Sequence, residues 1–545
     1  MAPEKFPLLS PGLEKKSKVE RREMQRLLET SRRYKKDGLN PENSNRLRNK
    51  LIILLTLAAL VFCVIAVATS KNDSTSSCTP PYNIAKFRGI GVGSGAIFSR
   101  IIAFREDVDP LVSVPDPLTV IDTLSNATEP QERESGASSL VWAWLQFLEH
   151  DLSKPESFDG AEENGLLDFR NLTRDNRVLD SHGNIQTINY ATPFIDLSQI
   201  YGNTIEEATA LRRMDGTGKL ITTYSGNGNV NDSEVLPELN NITFAFVDNR
   251  STDNLLVAAL YTLFVREHNY WCDELHGESV NLSDFEYYNT ARHITIATFQ
   301  AITYRVVLPL LIGDLENDDN VHCFDGIEKV KPGATVDDYV HRVSVFNEAA
   351  TALFPMYTAL ATPTPTTNVY DTIANDGIGG ILVNASMQRA RRRNEGRIVS
   401  QFKEDAAEVI ARTRDHQIPL YVSYRYHYMK KAHSPCQFYT HPETCALLEE
   451  VYGEEGKDTD LFTGMLVEHN SENHKKALLG EVGRRLASEQ FSYLKHNDHY
   501  FYRWDRIVKP RINAIHHSNL AMIIARNTGI DYQSIRHDLF TLPDD

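Results

Sequence analysis

The chain has 545 residues, of which 41% are hydrophobic and 24% are charged, and its formal net charge at neutral pH is −16. These proportions are ordinary for a globular protein and exclude a largely disordered chain. Residues 1–50 carry 14 Lys and Arg against 7 Asp and Glu, which leaves a net charge of −23 on the remainder. So acidic a remainder argues against nucleic-acid binding.

A basic segment at the start of the chain is followed by an apolar one. Residues 51–69 begin LIILLTLAALVFCVIAVA, a run long enough to cross the hydrocarbon core of a bilayer. Because Lys and Arg stay on the cytoplasmic side, we expect a single-pass type II membrane protein with a cytoplasmic tail over 1–50. The bulk of the chain then lies outside the cell or in an endosomal or lysosomal lumen, as a stalk over 70–87 and one domain over 88–545. Removal of the apolar run as a signal sequence is the alternative.

Short motifs on both sides of this segment suit that topology. The run Glu4-Lys-Phe-Pro-Leu8-Leu9 resembles the acidic dileucine signals that sorting adaptors read, so such adaptors are expected partners. The outer part contains eight Asn-X-Ser/Thr triplets, which predict a glycoprotein. These triplets begin at Asn72, Asn126, Asn171, Asn231, Asn241, Asn249, Asn281 and Asn384.

Five of the six cysteines lie outside the apolar segment, so one is left over if the others pair. Cys436 and Cys445 are close enough in sequence to close a small disulfide loop. Cys272 with Cys323 is a plausible second pair. Cys78, in the stalk, would then link two chains into a dimer.

Helical spacing of apolar residues dominates the outer part, and alternating strand patterns are few and short. The sequence therefore predicts a mainly α fold, a single large domain of helices with few short strands and long ordered loops. The predicted helices cover 137–152, 253–275, 284–311, 401–412, 476–495 and 511–527.

The segment WAWLQFLEHDL, residues 142–152, places polar groups inside an otherwise apolar helix. Gln146 and His150 are four residues apart and share one face, Glu149 lies beside that face, and Asp151 follows at once. Burying four polar side chains is costly, so the pattern indicates a chemical role. The alternative is a partly exposed amphipathic helix.

Oxygen donors recur at every second residue in TPFIDLS, residues 192–198. An extended backbone would point them in the same direction. Together with the carboxylate of Asp151, they form a set of hard oxygen ligands suited to Ca²⁺. The alternative is an ordinary strand that leads into a turn. The donors are the hydroxyls of Thr192 and Ser198, the carboxylate of Asp196 and the carbonyl of Phe194.

A third segment, FVDNRSTD at 246–253, precedes a strongly periodic helix. The three segments occur in the order and approximate spacing of the animal haem peroxidases, and the chain resembles the myeloperoxidase-type and peroxidasin-type members. The resemblance covers nearly the whole outer part. Further matching segments are AITYRVVLPLLIGD, RTRDHQIPLY, DLFTGMLVEH, LASEQF and LAMIIARNTGI.

The resemblance implies haem b, Ca²⁺ and chemistry on hydrogen peroxide. It implies that His150 is the distal imidazole that moves the peroxide proton, that Arg250 stabilises the charge developing on the O–O bond, and that Gln146 orients peroxide or a water. Glu149 and Asp253 match carboxylates that many members esterify to haem, although each differs from the commoner residue by one methylene. The positions that match the family's calcium ligands are Asp151, Thr192, Phe194, Asp196 and Ser198.

The chain departs from the family where the proximal iron ligand belongs. The family reads approximately F-x-x-A-A-[FY]-R-[FY]-G-H, and here Arg becomes Ala352, Gly becomes Phe354 and the final His becomes Pro355. If the spacing is one residue shorter, Phe354 takes the ligand position. The Asn that supports the proximal imidazole becomes Val409. Neither Pro nor Phe binds iron, so the ligand and its supporting residue are missing together.

These departures favour a pseudoperoxidase whose fold persists as a binding or assembly module at a membrane. The alternative is an active haem peroxidase that oxidises small substrates through a substitute ligand, for which Tyr357, Met356 and His341 are the candidates. A fatty-acid dioxygenase is a weaker reading, because no Tyr-x-x-His arrangement is evident.

Overall fold

The structure is a computed structural model, and it divides the chain into Met1–Ser77 and Cys78–Asp545. All described residues belong to the second unit. The predicted tail, transmembrane helix and dileucine motif, together with Cys78, Cys323 and His341, lie outside the described residues. The structure describes residues 86–102, 115–126, 136–154, 162–163, 166–167, 178–179, 185–224, 234–235, 248–278, 281–313, 343–364, 368–391, 398–437, 442–468 and 477–543.

Helices dominate the described residues, which confirms the predicted mainly α class. In chain order they are α1 (Pro117–Ser125), α2 (Leu140–Leu152), α3 (Ser198–Tyr201), α4 (Ile205–Ala210), α5 (Leu255–Gly277), α6 (Asp284–Ile302), α7 (Leu308–Ile312), α8 (Ala350–Leu353), α9 (Tyr357–Leu360), α10 (Val369–Asp376), α11 (Ile378–Met387), α12 (Lys403–Asp415), α13 (Tyr421–Met429), α14 (Pro442–Tyr452), α15 (Leu461–Val467), α16 (Glu481–Asn497), α17 (Ile512–His516) and α18 (Leu520–Thr528). A π-helical turn, Thr303–Val307, joins α6 to α7.

The helices predicted from periodicity are present, and one of them is divided. The stretch predicted over 511–527 forms α17 and α18, because the Asn519 side chain accepts a hydrogen bond from the Met522 amide and caps a new helix there. Short helices such as α3, α8 and α9 were not predicted, because a helix of about one turn does not show a repeating pattern of apolar residues.

The strands are short, as predicted, and the largest sheet in the described residues has three of them in the order β6-β1-β9. β1 pairs antiparallel with β6 and parallel with β9. The remaining strands form two-stranded pairs. The strands are β1 (Ala96–Ser99), β2 (Glu162–Glu163), β3 (Leu166–Leu167), β4 (Val178–Leu179), β5 (Ile185–Gln186), β6 (Ile188–Asn189), β7 (Thr223–Tyr224), β8 (Glu234–Val235) and β9 (Val343–Asn347).

The core surrounds α2, whose residues are all buried. Trp144 and Phe147 of α2 pack on Phe264 of α5 and Phe299 of α6, with ring centroids 4.9 to 5.8 Å apart. Aromatic rings in such stacked, tilted and edge-on arrangements fill a core densely. The polar residues at the C-terminal end of α2 are therefore held by a rigid apolar base.

One predicted disulfide is confirmed and the other is wrong. Cys436 and Cys445 form a disulfide. Cys272 carries a free thiol, buried on α5 with its sulfur 3.5 Å from His268 Nε2, and burial raises the pKa of this thiol to about 12. The apolar packing of its helix face holds Cys272 inside the protein, and sequence spacing does not reveal that.

Among the described residues, the continuous helical stretch Asp284–Ile312 is long and apolar enough to cross a membrane, and most of it is buried inside the protein. Its burial is that of a core helix.

Candidate functional site

The predicted distal residues lie together at the C-terminal half of α2. Gln146 and His150 are each 2% exposed. The Gln146 side-chain oxygen accepts a hydrogen bond from the Asn254 amide group, and His150 Nδ1 lies 3.1 Å from the Tyr261 hydroxyl. Burial and the nearby positive charge of Arg250 lower the pKa of His150 to about 3, so its imidazole is neutral at physiological pH.

Arg250 reaches this group from the 3₁₀ turn Asn249–Thr252. Its Nε and a terminal nitrogen donate to the two carboxylate oxygens of Asp248 at 3.0 and 2.6 Å. The same terminal nitrogen lies 3.4 Å from the His150 carbonyl oxygen. Burial opposes the charged form of Arg250, but Asp248 outweighs it and the pKa is raised. Asp248 therefore fixes Arg250 beside α2.

The two carboxylates that match esterified positions differ in exposure. Glu149 is buried, with Oε1 3.9 Å from Arg412, and burial raises its pKa against the opposing effects of Arg250 and Arg412. Asp253 ends the Arg250 turn and its side chain is exposed. Crowding by neighbouring protein atoms raises the pKa of Asp253 and the carboxylate of Asp405 adds to the shift, while solvent exposure and the charge of Arg250 limit it.

The predicted calcium residues also come together, but not on an extended backbone. Leu197 has φ of +57°, and Ser198 already begins α3, so alternation along a strand is the wrong explanation for their proximity. Instead the backbone amides of Asp196 and Ser198 donate to the Asp151 carboxylate at 3.1 and 2.7 Å. The turn thus wraps around the end of α2.

Oxygen atoms dominate this cluster. The Thr192 hydroxyl donates to Asp196 Oδ1 at 2.6 Å, and the Ser198 hydroxyl donates to the Asp151 carbonyl at 2.9 Å. Asp151 and Asp196 are fully buried, and burial raises the pKa of both. The negative charge of Asp196 raises the pKa of Asp151 further. Phe194 lies within the same turn and is half-buried.

One buried oxygen of the cluster, Asp196 Oδ2, accepts no hydrogen bond. The nearest cation is Arg88, whose guanidinium lies 3.5 Å from Oδ2 and is held more closely by Asp498 at 2.5 Å. Two buried carboxylates, two hydroxyls and an oxygen without a hydrogen bond are the donor chemistry that Ca²⁺ prefers. These residues fit a calcium ion.

The segment at the proximal position is packed as ordinary core. Phe354 and Met356 are each 1% exposed, and Pro355 is buried between them. The Phe354 ring stacks on Phe346 at 5.8 Å and meets Phe491 edge-on at 5.9 Å. Cα atoms of the turn Phe354–Met356 and of α2 lie within 8 Å of each other, so the two elements pack directly where they meet.

Two of the predicted substitute ligands, Tyr357 and Met356, are described by the structure, and both lie in the packed core. Tyr357 is buried, and both burial and the negative charge of Glu149 and Asp405 raise its pKa well above 10. A tyrosine ligates haem iron as the tyrosinate, whereas Tyr357 in this environment holds its proton. Met356 is enclosed in the apolar core. At the proximal position itself, Phe354 and Pro355 offer no axial ligand to a haem.

Residues that sequence reasoning did not single out hold the site in place. Asp248 fixes Arg250, Asn254 bonds Gln146, Tyr261 bonds His150, and Arg88 approaches Asp196. Asp248 lies within the segment FVDNRSTD and Asn254 follows it directly, and this closeness to Arg250 in sequence was the available signal. Arg88 is 108 residues before Asp196, so no local pattern connects them.

Comparisons with known proteins identify chains of similar sequence and fold. The chain is similar to the eosinophil peroxidase of Mus musculus, with 27% identity over 410 residues that cover 65% of this chain and 54% of that protein. It is similar to a peroxidasin homologue of Caenorhabditis briggsae, with 24% identity over 520 residues that cover 76% of this chain and 38% of that protein. The chain thus spans about half or less of the length of these relatives.

The fold is similar to that of peroxidase A from Dictyostelium discoideum, with a TM-score of 0.62 and 18% identity, covering 82% of this chain and 96% of that one. A sequence-family model described as animal haem peroxidase matches residues 98–398 and 395–540, which is most of the chain. The helical fold, the motif order and this match together show that the chain belongs to the animal haem peroxidase family.

Proposed function

We propose that this family member is a pseudoperoxidase, in which a calcium-stabilised peroxidase fold serves as a binding or assembly module at a membrane. The observation that carries the proposal is the apolar packing at Phe354–Met356. The side chains at 354 and 355 have no ligating atom, and Phe354 is engaged with two other aromatic rings. An iron ion in haem needs a proximal ligand both to stay bound and to cleave peroxide.

The polar residues on α2 are consistent with a structural role. Gln146 and His150 each have a protein hydrogen-bond partner, and Arg250 is paired with Asp248. Buried polar groups that are satisfied in this way stabilise a unique packing without any catalytic demand. Their retention therefore does not by itself require peroxidase activity.

The proposal is tested by the visible spectrum of the full chain produced with haem supplied. We expect no Soret band and no oxidation of guaiacol by hydrogen peroxide. A family member that retains its proximal His is the positive control. A strong Soret band together with peroxide-dependent turnover that is lost in His150→Ala would overturn the pseudoperoxidase proposal.

The second candidate is an active peroxidase with a substitute axial ligand, and the clustering of Gln146, His150 and Arg250 favours it. If a Soret band appears, Tyr357→Phe and Met356→Leu identify the ligand, because replacing the ligand abolishes or shifts the band. A band that survives both replacements excludes these two residues as ligands.

Ca²⁺ would be held by the oxygen cluster at the end of α2. When bound, it would neutralise the negative charge of two buried carboxylates, one of which is Asp151, the residue that follows His150. The residues that would hold it are Asp151, Thr192, Phe194, Asp196 and Ser198.

Membrane anchoring through 51–69 and adaptor-dependent sorting through the dileucine motif belong to the same proposal. Replacing Leu8 and Leu9 by Ala is expected to shift the protein from endosomes to the cell surface, measured by surface biotinylation. An unchanged distribution contradicts the sorting role. A non-reducing gel that shows only monomer contradicts a dimer linked through Cys78.

A further inference from the structure

A cavity of about 180 Å³ opens between the π-helical turn Thr303–Val307, the end of α16 and the loop that follows α16. None of the residues that line it belongs to the predicted distal group or to the calcium cluster. Its chemistry therefore has to be derived from its own lining.

The lining is positively charged, in a chain whose net charge is −16. Arg305, Lys495, His496 and Arg503 all line the cavity, and the described lining residues include no Asp or Glu. Arg305 and Arg503 are exposed, whereas Lys495 and His496 are half-buried. The cavity thus combines two exposed guanidinium groups with a half-buried amine and a half-buried imidazole.

The positive charges that line the cavity act on a neighbouring imidazole ring. His516 lies beside the cavity, with Nδ1 3.1 Å from the hydroxyl of the lining residue Tyr502. Partial desolvation lowers the pKa of His516, and the charges of Arg503 and Arg305 lower it further. A site that disfavours a proton on a nearby imidazole favours an anion.

The floor of the cavity is aromatic and apolar. The Tyr304 ring meets Phe491 edge-on at 5.6 Å and Phe501 at 5.0 Å, and Leu308 completes this wall. The Tyr304 hydroxyl donates to the Phe491 carbonyl at 2.8 Å, which holds the ring in place. A flat apolar group would bury its faces against these rings.

The backbone that carries Arg305 is itself unusual. Residues Thr303–Val307 form a π-helical turn inside an otherwise continuous helix, and such turns occur frequently at functional sites. The turn is fixed to α2 by a 3.0 Å hydrogen bond from the Trp144 indole to the Thr303 hydroxyl. Insertion of the wider turn changes the direction in which the following side chains leave the helix.

We propose that this cavity binds a small aryl anion, a molecule with one aromatic ring and a carboxylate or sulfonate group. The ring packs on Tyr304 and Phe501, and the anionic group pairs with Arg305 and Arg503. Guanidinium groups suit this role because their paired N–H donors match the oxygens of a carboxylate. The site is independent of haem and of the proposed function.

The test is isothermal titration calorimetry of the full chain in detergent with 3-phenylpropionate and benzenesulfonate as probes. We expect both to bind, and 3-phenylpropan-1-ol, which lacks the charge, to bind at least about tenfold more weakly. Raising NaCl from about 50 mM to about 500 mM should weaken binding of the anions. Binding of inorganic phosphate without binding of either aryl anion would overturn the proposal.

Variants distinguish the contribution of charge to ligand binding from the contribution of the shape of the cavity. Arg305→Gln and Arg503→Gln are each expected to weaken anion binding about tenfold, whereas Arg506→Gln, an exposed residue of the same loop that does not line the cavity, should leave it unchanged. Ser488→Phe fills the cavity and should abolish binding with all charges retained. Undiminished binding in the Arg305→Gln/Arg503→Gln double variant, or in a folded Ser488→Phe variant, would refute the site.

Discussion

Replacing Phe354 by Ala tests whether the proximal position is solid core. The ring is 1% exposed and contacts Phe346 and Phe491. Truncating a fully buried Phe costs about 3–5 kcal/mol in the free energy of unfolding, through lost transfer energy and the cavity left behind. The two aromatic pairs that Phe354 makes contribute about 0.5–1.5 kcal/mol each to that cost. We therefore expect a value in the upper half of this range.

The free energy of unfolding is measured by urea denaturation followed by circular dichroism. Phe285→Ala is the matched control, because Phe285 is 55% exposed and its loss should cost under about 1 kcal/mol. If Phe354 bordered an open slot, water would already reach the ring and little packing would be lost. A cost below about 1.5 kcal/mol for Phe354→Ala would therefore refute the packed-core reasoning.

Three further predictions concern the calcium cluster, a buried imidazole and the disulfide. Removing Ca²⁺ with a chelator should lower the unfolding free energy by about 2.7 kcal/mol relative to the protein with calcium at about a hundred times its dissociation constant. The Asp196→Asn variant should lose this response. An equal response in the variant contradicts the ligand assignment. Because burial lowers the pKa of His268 to about 4, its unfolded form takes up a proton below about pH 6.5 while the folded form does not. The neutral His268 contributes its full stabilisation above about pH 6.5, and about 2 kcal/mol of the unfolding free energy is lost as the pH falls to about 5. The His268→Gln variant should therefore show a flatter pH dependence of the urea midpoint over that range. Cys436→Ser should cost about 3 kcal/mol by releasing the short loop to Cys445, and added reductant should lower the melting temperature of the unmodified protein more than that of the variant.

Local patterns predicted the long helices well. α2, α5 and α6 each bury several turns of apolar residues, so their periodicity is repeated often enough to be read from the chain. Their starts are also encoded locally: the Asn254 side chain accepts from the Val257 amide, and Ser283 and Glu286 form a capping box. The shorter helices have too few residues to establish a period.

The backbone conformation of the calcium cluster could not be predicted from the local sequence. The sequence identified its oxygen atoms but explained their approach by an extended strand, whereas Leu197 adopts a left-handed conformation that turns the chain. The guanidinium of Arg88 approaches Asp196 and pairs with Asp498, which lies 410 residues further along the chain. The Cys272 pairing was wrong for the same reason, since burial of the thiol depends on the packing of distant elements.

By itself, the sequence determined the helical class, the family and the absence of a ligating atom at Phe354 and Pro355, because these follow from side-chain chemistry and from periodicity along the chain. Only the tertiary structure decided how Phe354 is packed, which groups surround Tyr357, and that a cationic cavity with an aromatic floor forms around Tyr304. The physical reason is that burial, hydrogen-bond satisfaction and electrostatic potential depend on atoms contributed by residues far apart in the chain.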